Sequence, residues 1–255
     1  MQPGIAIVAE RPEPGLVDRA RRLSGELSLP LTSAGEPGYD LHLVVTTRRL
    51  ELREAGSRTG PVYADFCRPR SVSRRQVSAL ARDPLIRAIG LKAKPWHVVD
   101  ATAGLGRNAV LLAWAGCSVT AIERSPAIAA LLGDGLRRAM EDPQMQPVVA
   151  DRLHLVRGDA REVLAEMADD EQPDAVYMDP MFPHRAKSAA SKKEMRLCRL
   201  VAGDDTDAAE LFTIARRTAR HRVVVKRWLR APPLAPDPAI QYKGRSIRYD
   251  VYLRG

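Results

Sequence analysis

The sequence predicts an α/β fold, a mainly parallel sheet with helices on both faces, behind a small α+β N-terminal region. Three observations point to it. From His97 onward, short apolar runs alternate with segments of helical length, which is the pattern of repeated strand–helix–strand units. A glycine-bearing turn, Asp100-Ala101-Thr102-Ala103-Gly104-Leu105-Gly106, follows the first of those runs. The first 90 residues lack such a loop and mix short strands with a helix.

In chain order, Ile5–Ala9 reads as a strand and Leu16–Leu27 as a helix. Leu41–Thr46, Leu50–Arg53 and Val62–Phe66 read as short strands, with Gly56 and Gly60-Pro61 supplying the turn between the last two. Ser71–Ile89 reads as a helical connector. Beyond it the strands are Val98–Ala101, Val119–Glu123, Leu153–Arg157, Ala175–Met178 and Val223–Lys226. The helices between them are Asn108–Ala115, Pro126–Met140 and Ala160–Ala168. The proline-rich run from Ala231 to Pro238 excludes helix and central strand. Ser246–Leu253 alternates and predicts a last, antiparallel strand at the end of the sheet. Two domains follow, 1–90 as a small α+β unit with its connector and 91–255 as the larger α/β unit.

At 255 residues the chain is long enough for such a pair. A hydrophobic share of 45% is ordinary, and no apolar stretch reaches the roughly 18–20 residues of a membrane span. The start, Met1-Gln2-Pro3-Gly4 and then Ile5 to Ala9, does not read as a signal peptide, so a cytoplasmic address is expected. Cys67, Cys117 and Cys198 are too scattered for a disulfide framework or a paired zinc site. The formal charge of +9 favours an anionic partner. From Phe182 to Arg199 six lysines and arginines stand against Glu194 alone, and from Leu211 to Arg230 there are seven with no acid. These are either two solvated helix faces or a nucleic-acid-facing rim.

Ligands of open parallel sheets bind outside the carboxyl ends of the strands, so residues at those lips are the site candidates. In Asp100-x-x-x-Gly104-x-Gly106 the glycines remove Cβ atoms where backbone would approach a ligand. Gly104-x-Gly106-x-x-Ala109 also satisfies a dinucleotide fingerprint, so methyl donor, dinucleotide and plain structural turn are all open readings. Glu123 ends a strand where a carboxylate could accept from both hydroxyls of one ribose, or be an exposed acid at a helix start. Asp159 holds the same position one strand on, as acceptor for an adenine amine or merely as an N-cap.

Asp179-Pro180-Met181-Phe182-Pro183 is the most specific piece: a carboxylate, two prolines and an aromatic ring follow the strand Ala175–Met178. A ring amine is a poor nucleophile because its lone pair is delocalised. Asp179 and adjacent carbonyls could hold the amine hydrogens and aim that lone pair, with Phe182 stacking on the base. A turn with a buried Phe is the bland alternative. His184 and Lys226 with Arg227 are candidate nucleic-acid contacts or incidental surface groups.

Taken together, Asp100-Ala-Thr-Ala-Gly-Leu-Gly-Arg107, Asp179-Pro-Met-Phe-Pro-His184 with Lys187 and Lys192-Lys193-Glu194-Met195-Arg196, and Arg222-Val-Val-Val-Lys-Arg227 resemble the ribosomal RNA small-subunit methyltransferase J family. The resemblance runs from about Leu43 to Tyr252. It implies a Rossmann-like class I methyltransferase with a mostly parallel seven-stranded sheet, S-adenosylmethionine as methyl donor, S-adenosylhomocysteine as product, and the exocyclic N2 amine of a guanine in 16S rRNA as acceptor. Cofactor contacts are implied at Arg107, Asn108, Glu123, Arg124, Asp159, Ala160 and Asp179, beside Asp100, Gly104 and Gly106. Asp179, Pro180 and Phe182 form the expected catalytic loop. His184, Lys187, Lys192, Lys193, Arg196, Lys226 and Arg227 form the expected RNA margin, and no metal is required.

The chain departs from the family where Arg74 to Leu85 has lost expected glycines, where Asn108 replaces a usual acid, and where Asp159 replaces a usual hydroxyl residue. Two other functions remain in view: a cofactor-binding RNA chaperone or assembly factor without catalysis, and an amino-methyltransferase acting on adenine in DNA.

Overall fold

A computed structural model describes residues 4–33, 35–57, 59–67, 80, 82–91, 95–181, 189–203 and 205–254, without the side chains of 189–192. Two sheets organise the described residues. The first has four strands in the order β2-β1-β3-β4: β1 (Ile5–Ala9), β2 (Leu31–Thr32), β3 (Leu41–Val45) and β4 (Leu50–Glu54). The first three are parallel neighbours, and β4 returns antiparallel to β3. Helix α1 (Pro14–Leu27) lets β1 run parallel to β2 and β3, and buries Leu16, Ala20 and Leu27 against the sheet. Val62 makes only an isolated bridge to Leu52, so the expected strand Val62–Phe66 is not formed. Instead Ala64 and Phe66 turn inward and are buried. Of the expected connector, Pro84–Ile89 is helix α2, capped by Asp83 and ended by Gly90 in the left-handed region. Residues 68–79 lie outside the described residues.

The second sheet has seven strands in the order β10-β11-β9-β8-β5-β6-β7. They are β5 (His97–Asp100), β6 (Ser118–Glu123), β7 (Leu153–Arg157), β8 (Ala175–Met178), β9 (Arg222–Trp228), β10 (Ile240–Lys243) and β11 (Ile247–Leu253). The five from β5 to β9 are parallel, and β11 is antiparallel to β9. Contrary to expectation, the last strand is not the edge. Gly244 to Ser246 reverse the chain, so β10 pairs outside β11. Val98, Val99, Val176, Val223, Val224 and Val225 are essentially inaccessible, as strands covered on both faces should be.

The crossovers are α3 (Arg107–Trp114), α4 (Pro126–Glu141), the short α5 (Gln146–Val149), α6 (Ala160–Glu166), α7 (Ala189–Ala202) and α8 (Ala208–Thr218). Ser125 caps α4 through Ile128 N–H and is followed by Pro126 at the first helical position, a pairing suited to a helix start. One apolar cluster runs without a break from Ile7 and Leu43 in the first sheet through Phe66, Leu131 and Leu132 to Val98 and Tyr177 in the second. Helix α4 carries that junction. Asp134 accepts from Leu50 N–H at 3.0 Å, Arg138 donates to the Ala64 carbonyl, and Gly135 leaves room for Ala64 and Phe66.

Candidate active site

The parallel strands run outward from β5 to β6 and β7, then return to β8 on the other side of β5. The crevice at that reversal is where open sheets of this kind bind ligands. Both sequence candidates meet there. Thr102, past β5, accepts a hydrogen bond on Oγ1 from Asp179 N–H, past β8, at 2.6 Å. A cavity of about 370 Å³ opens over them, a size suited to a small organic ligand. Gly104, Gly106, Arg107, Asn108, Glu123, Arg124, Asp159, Ala160, Asp179 and Pro180 all line it.

Each lining residue has a local reason for its place. Gly104 and Gly106 have φ of +55° and +78°, a region that costs other residues about 1–2 kcal/mol. At Gly106 a Cβ would also lie 2.3 Å from Leu132 Cδ1, so the turn is held against α4 as well as bent. Glu123 is buried and its carboxylate is fixed by two backbone donors, Gly104 N–H on Oε2 and Ser125 N–H on Oε1, both at 2.8 Å. Burial nevertheless raises its pKa, with Asp205 adding to the rise. Each oxygen keeps a further lone pair for a hydroxyl.

Asp159 accepts from Arg161 N–H at 2.9 Å and from the Arg161 guanidinium, whose hydrogen bonds hold its carboxyl below the ordinary range. It is therefore an N-cap with a salt bridge and also a wall of the cavity. Asn108 donates through Nδ2 to the Tyr177 hydroxyl at 3.0 Å.

Asp100 differs from expectation. It does not line the cavity but lies beneath it, fully buried, with Oδ1 accepting from Thr102 N–H at 3.3 Å. Among the described residues Oδ2 has no partner. Burial pushes its carboxyl up to about 7, and Asp179 and Glu123 nearby add to the rise.

The expected RNA margin is redistributed. Lys226 donates to Asp179 Oδ2 at 2.6 Å. Arg227 is buried on the opposite face of β9 and donates to the Pro232 carbonyl, because successive strand residues alternate sides. Arg196 makes a two-pronged ion pair with Glu54 at 2.7 and 2.8 Å, tying α7 to β4. Lys226, Arg227 and Arg196, expected at the RNA margin, each have an intramolecular partner. Lys193 is half-buried with Glu54 and Arg196 nearby. Phe182, Pro183, His184, Lys187 and the Lys192 side chain lie outside the described residues.

Sequence reasoning missed the acids after α7. Asp205 accepts from Met181 N–H at 2.5 Å and pairs with Arg124, while Asp207 meets Arg124 at 2.8 Å. Arg161 bridges Asp159 and Glu210. These pairs gather the loops after β6, β7, β8 and α7 around the cavity. An Asp-rich stretch before a helix looks like any helix start, so its reach to Arg124 had no local signal.

The cavity suits a nucleoside carrying a cationic chain. Glu123 presents a held carboxylate for hydroxyls. Ile122, Ala160 and Leu211, members of one apolar cluster, offer a wall for a planar ring. Asp179, Asp205 and Asp207 supply negative charge. These are the groups that would hold S-adenosylmethionine.

A family profile described as "Putative SAM-dependent methyltransferase" matches residues 26–254. A SAM-dependent methyltransferase from Neisseria gonorrhoeae has the same fold, with a TM-score of 0.71 at 33% identity over 98% of this chain and 96% of that one. The fold and the site thus define an S-adenosylmethionine-dependent methyltransferase of class I. "Ribosomal RNA small subunit methyltransferase J" of Thioalkalivibrio sulfidiphilus is 46% identical over 94% of both chains. That of Pseudomonas aeruginosa is 43% identical over 93% of this chain and 91% of its own. The chain belongs to the ribosomal RNA small-subunit methyltransferase J family.

Proposed function

We propose that the protein methylates the exocyclic N2 amine of one guanine in 16S rRNA, working on the small ribosomal subunit or its RNA in the cytoplasm. The names of the relatives support RNA of the small subunit as substrate. Among the described residues no helix is long and apolar enough to cross a membrane. The observation that carries the reading is Asp179, whose Oδ2 is taken by Lys226 while Oδ1 accepts no hydrogen bond among the described residues. That free acceptor borders the same cavity as the Glu123 carboxylate.

When bound, S-adenosylmethionine supplies an electrophilic methyl group on a sulfonium. Asp179 accepts a hydrogen bond from the guanine amine, which draws the nitrogen lone pair out of conjugation with the ring and stabilises the positive charge that grows on nitrogen. Pro180 stiffens the loop that carries this acceptor, and Phe182 stacks on the base. Glu123 holds the ribose, while Arg107, Asn108, Arg124, Asp159 and Ala160 border the rest of the cofactor. After transfer the surplus proton passes from nitrogen to the Asp179 carboxylate and on to solvent, so no dedicated strong base is needed. His184, Lys187, Lys192 and Lys193 supply contacts to the RNA backbone. Residues 1–90 and 91–255 act as a small domain and a catalytic domain.

Nucleoside mass spectrometry on rRNA from a deletion strain tests the acceptor. The expected result is loss of one N2-methylguanosine from small-subunit rRNA, restored by the wild-type gene and not by Asp179→Ala. Restoration by Asp179→Ala would overturn the catalytic assignment and favour an assembly factor. Intact methylguanosine with methyladenine lost from DNA would overturn the substrate.

A further inference from the structure

We propose that Lys226 is a positioning residue for methyl transfer, which takes one oxygen of Asp179 so that the other is aimed at the amine. The inference rests on the reading of Asp179 given above.

Geometry makes the pair a designed contact of the fold. Parallel strands β8 and β9 register Met178 against Val225. The residues that follow, Asp179 just past β8 and Lys226 within β9, therefore stand at the same level and on the same face. Nζ reaches Oδ2 at 2.6 Å, and the two side chains are 25% and 31% exposed. Asp179 is fixed a second time through its own N–H on Thr102 Oγ1. Lys226 thereby restrains the carboxylate, and Thr102 restrains the backbone that carries it.

Stability is a weak account of the contact, since the cost of desolvating a part-buried ion pair offsets much of its attraction. Orientation is a better one, because an acceptor that turns freely loses the advantage of a pre-aimed lone pair. A phosphate contact fits Lys226 less well. Its charge is already met by a carboxylate at hydrogen-bond distance, whereas a phosphate-binding lysine offers an unpaired cation.

The test compares Lys226→Met, Lys226→Arg, Asp179→Asn and the Lys226→Met/Asp179→Asn double variant. Measurements are kcat and KM with small-subunit rRNA, RNA affinity at several salt concentrations, and S-adenosylmethionine affinity by calorimetry. Lys226→Met is expected to lower kcat roughly 10- to 100-fold, the scale of one hydrogen bond to a charged group. RNA affinity, its salt dependence and cofactor affinity should stay within about twofold. Lys226→Arg, which keeps a cationic donor, should recover part of the rate. Adding Lys226→Met to Asp179→Asn should cost nothing further, because the two residues act as a unit.

A Lys226→Met enzyme with weaker RNA binding, a shallower salt dependence and unchanged kcat would overturn the proposal in favour of a phosphate contact. Losses that multiply in the double variant would overturn the positioning role alone. An Asp179→Asn enzyme as fast as wild type would instead bring down the reading of Asp179 on which the role depends.

Discussion

Replacing Gly135 by alanine sets two effects against each other at the junction of the two sheets. Alanine is the better helix former by about 1 kcal/mol, and Gly135 lies within α4 with an ordinary helical backbone. Its Cβ, however, would stand 2.6 Å from Ala64 Cβ, 3.0 Å from Phe66 Cε2 and 3.2 Å from the Ala64 carbonyl oxygen. Neither neighbour has a flexible end to move aside, and both are buried. Overpacking of this kind costs about 1–3 kcal/mol, so Gly135→Ala should be destabilising by about 1 kcal/mol net.

Gly133, two residues earlier, supplies the control. A Cβ there meets Leu155 at 3.7 Å and Arg157 at 3.8 Å, ordinary contact distances, so Gly133→Ala should gain about 1 kcal/mol. The two variants should differ by about 2 kcal/mol, or roughly 4–8 °C in melting temperature for a chain of this size. Thermal and urea unfolding followed by circular dichroism would measure it. A Gly135→Ala protein at least as stable as Gly133→Ala would refute the close packing of residues 64–66 on α4.

Glu123→Gln should weaken S-adenosylmethionine binding about 10- to 100-fold in calorimetry, since a charged acceptor of hydroxyls becomes a neutral one. Asp100→Asn should change the pH dependence of stability. The Asp100 carboxyl rises from 3.8 to about 7 on burial, so the folded protein binds a proton that the unfolded chain releases. Its contribution is present below about pH 4 and is lost as pH rises through about 7, a change of about 4 kcal/mol. Urea unfolding should therefore show the variant gaining on wild type from pH 4 to 7 and then levelling off, and parallel curves would contradict the buried carboxyl. Arg248 pairs with Asp250 at 2.8 Å, both side chains nearly inaccessible. Arg248→Met should cost about 3–5 kcal/mol by leaving a buried charge, and the same denaturation assay should find much of it recovered in Arg248→Met/Asp250→Leu.

The parallel core was legible because burial on both faces demands near-continuous apolar runs, as in Ala175–Met178 and the three valines of β9, and the edge strand Leu153–Arg157 also carries its expected bounds. What escaped was structure fixed by distant partners. Ile240–Lys243 follows a proline-rich connector and is mostly exposed, so it forms a strand only because β11 offers an edge. Val62–Phe66 has strand-like residues, yet the open face of Gly135 draws Ala64 and Phe66 inward. In the site, lip residues followed from topology, whereas their pairings did not. Lys226 and Arg227 are adjacent cations in the sequence, and only strand alternation and register send one to Asp179 and the other to Pro232. Asp100 showed the opposite error: it belongs to the glycine turn by sequence, and its strand end buries it under the cavity.

Strand β11 sits between β9 and β10, and this has a consequence for the order in which the protein can be assembled. Chains are made and fold from the N-terminus onward, so β5 to β9 can pair as they emerge. Strand β9, which carries Lys226, still lacks its outer neighbour until residue 253 has been made, because every residue from Arg222 to Trp228 pairs with one from Ile247 to Leu253. The lip that carries Lys226 is thus among the last parts of the sheet to become rigid, and the candidate site is complete only once β11 has been made and has paired.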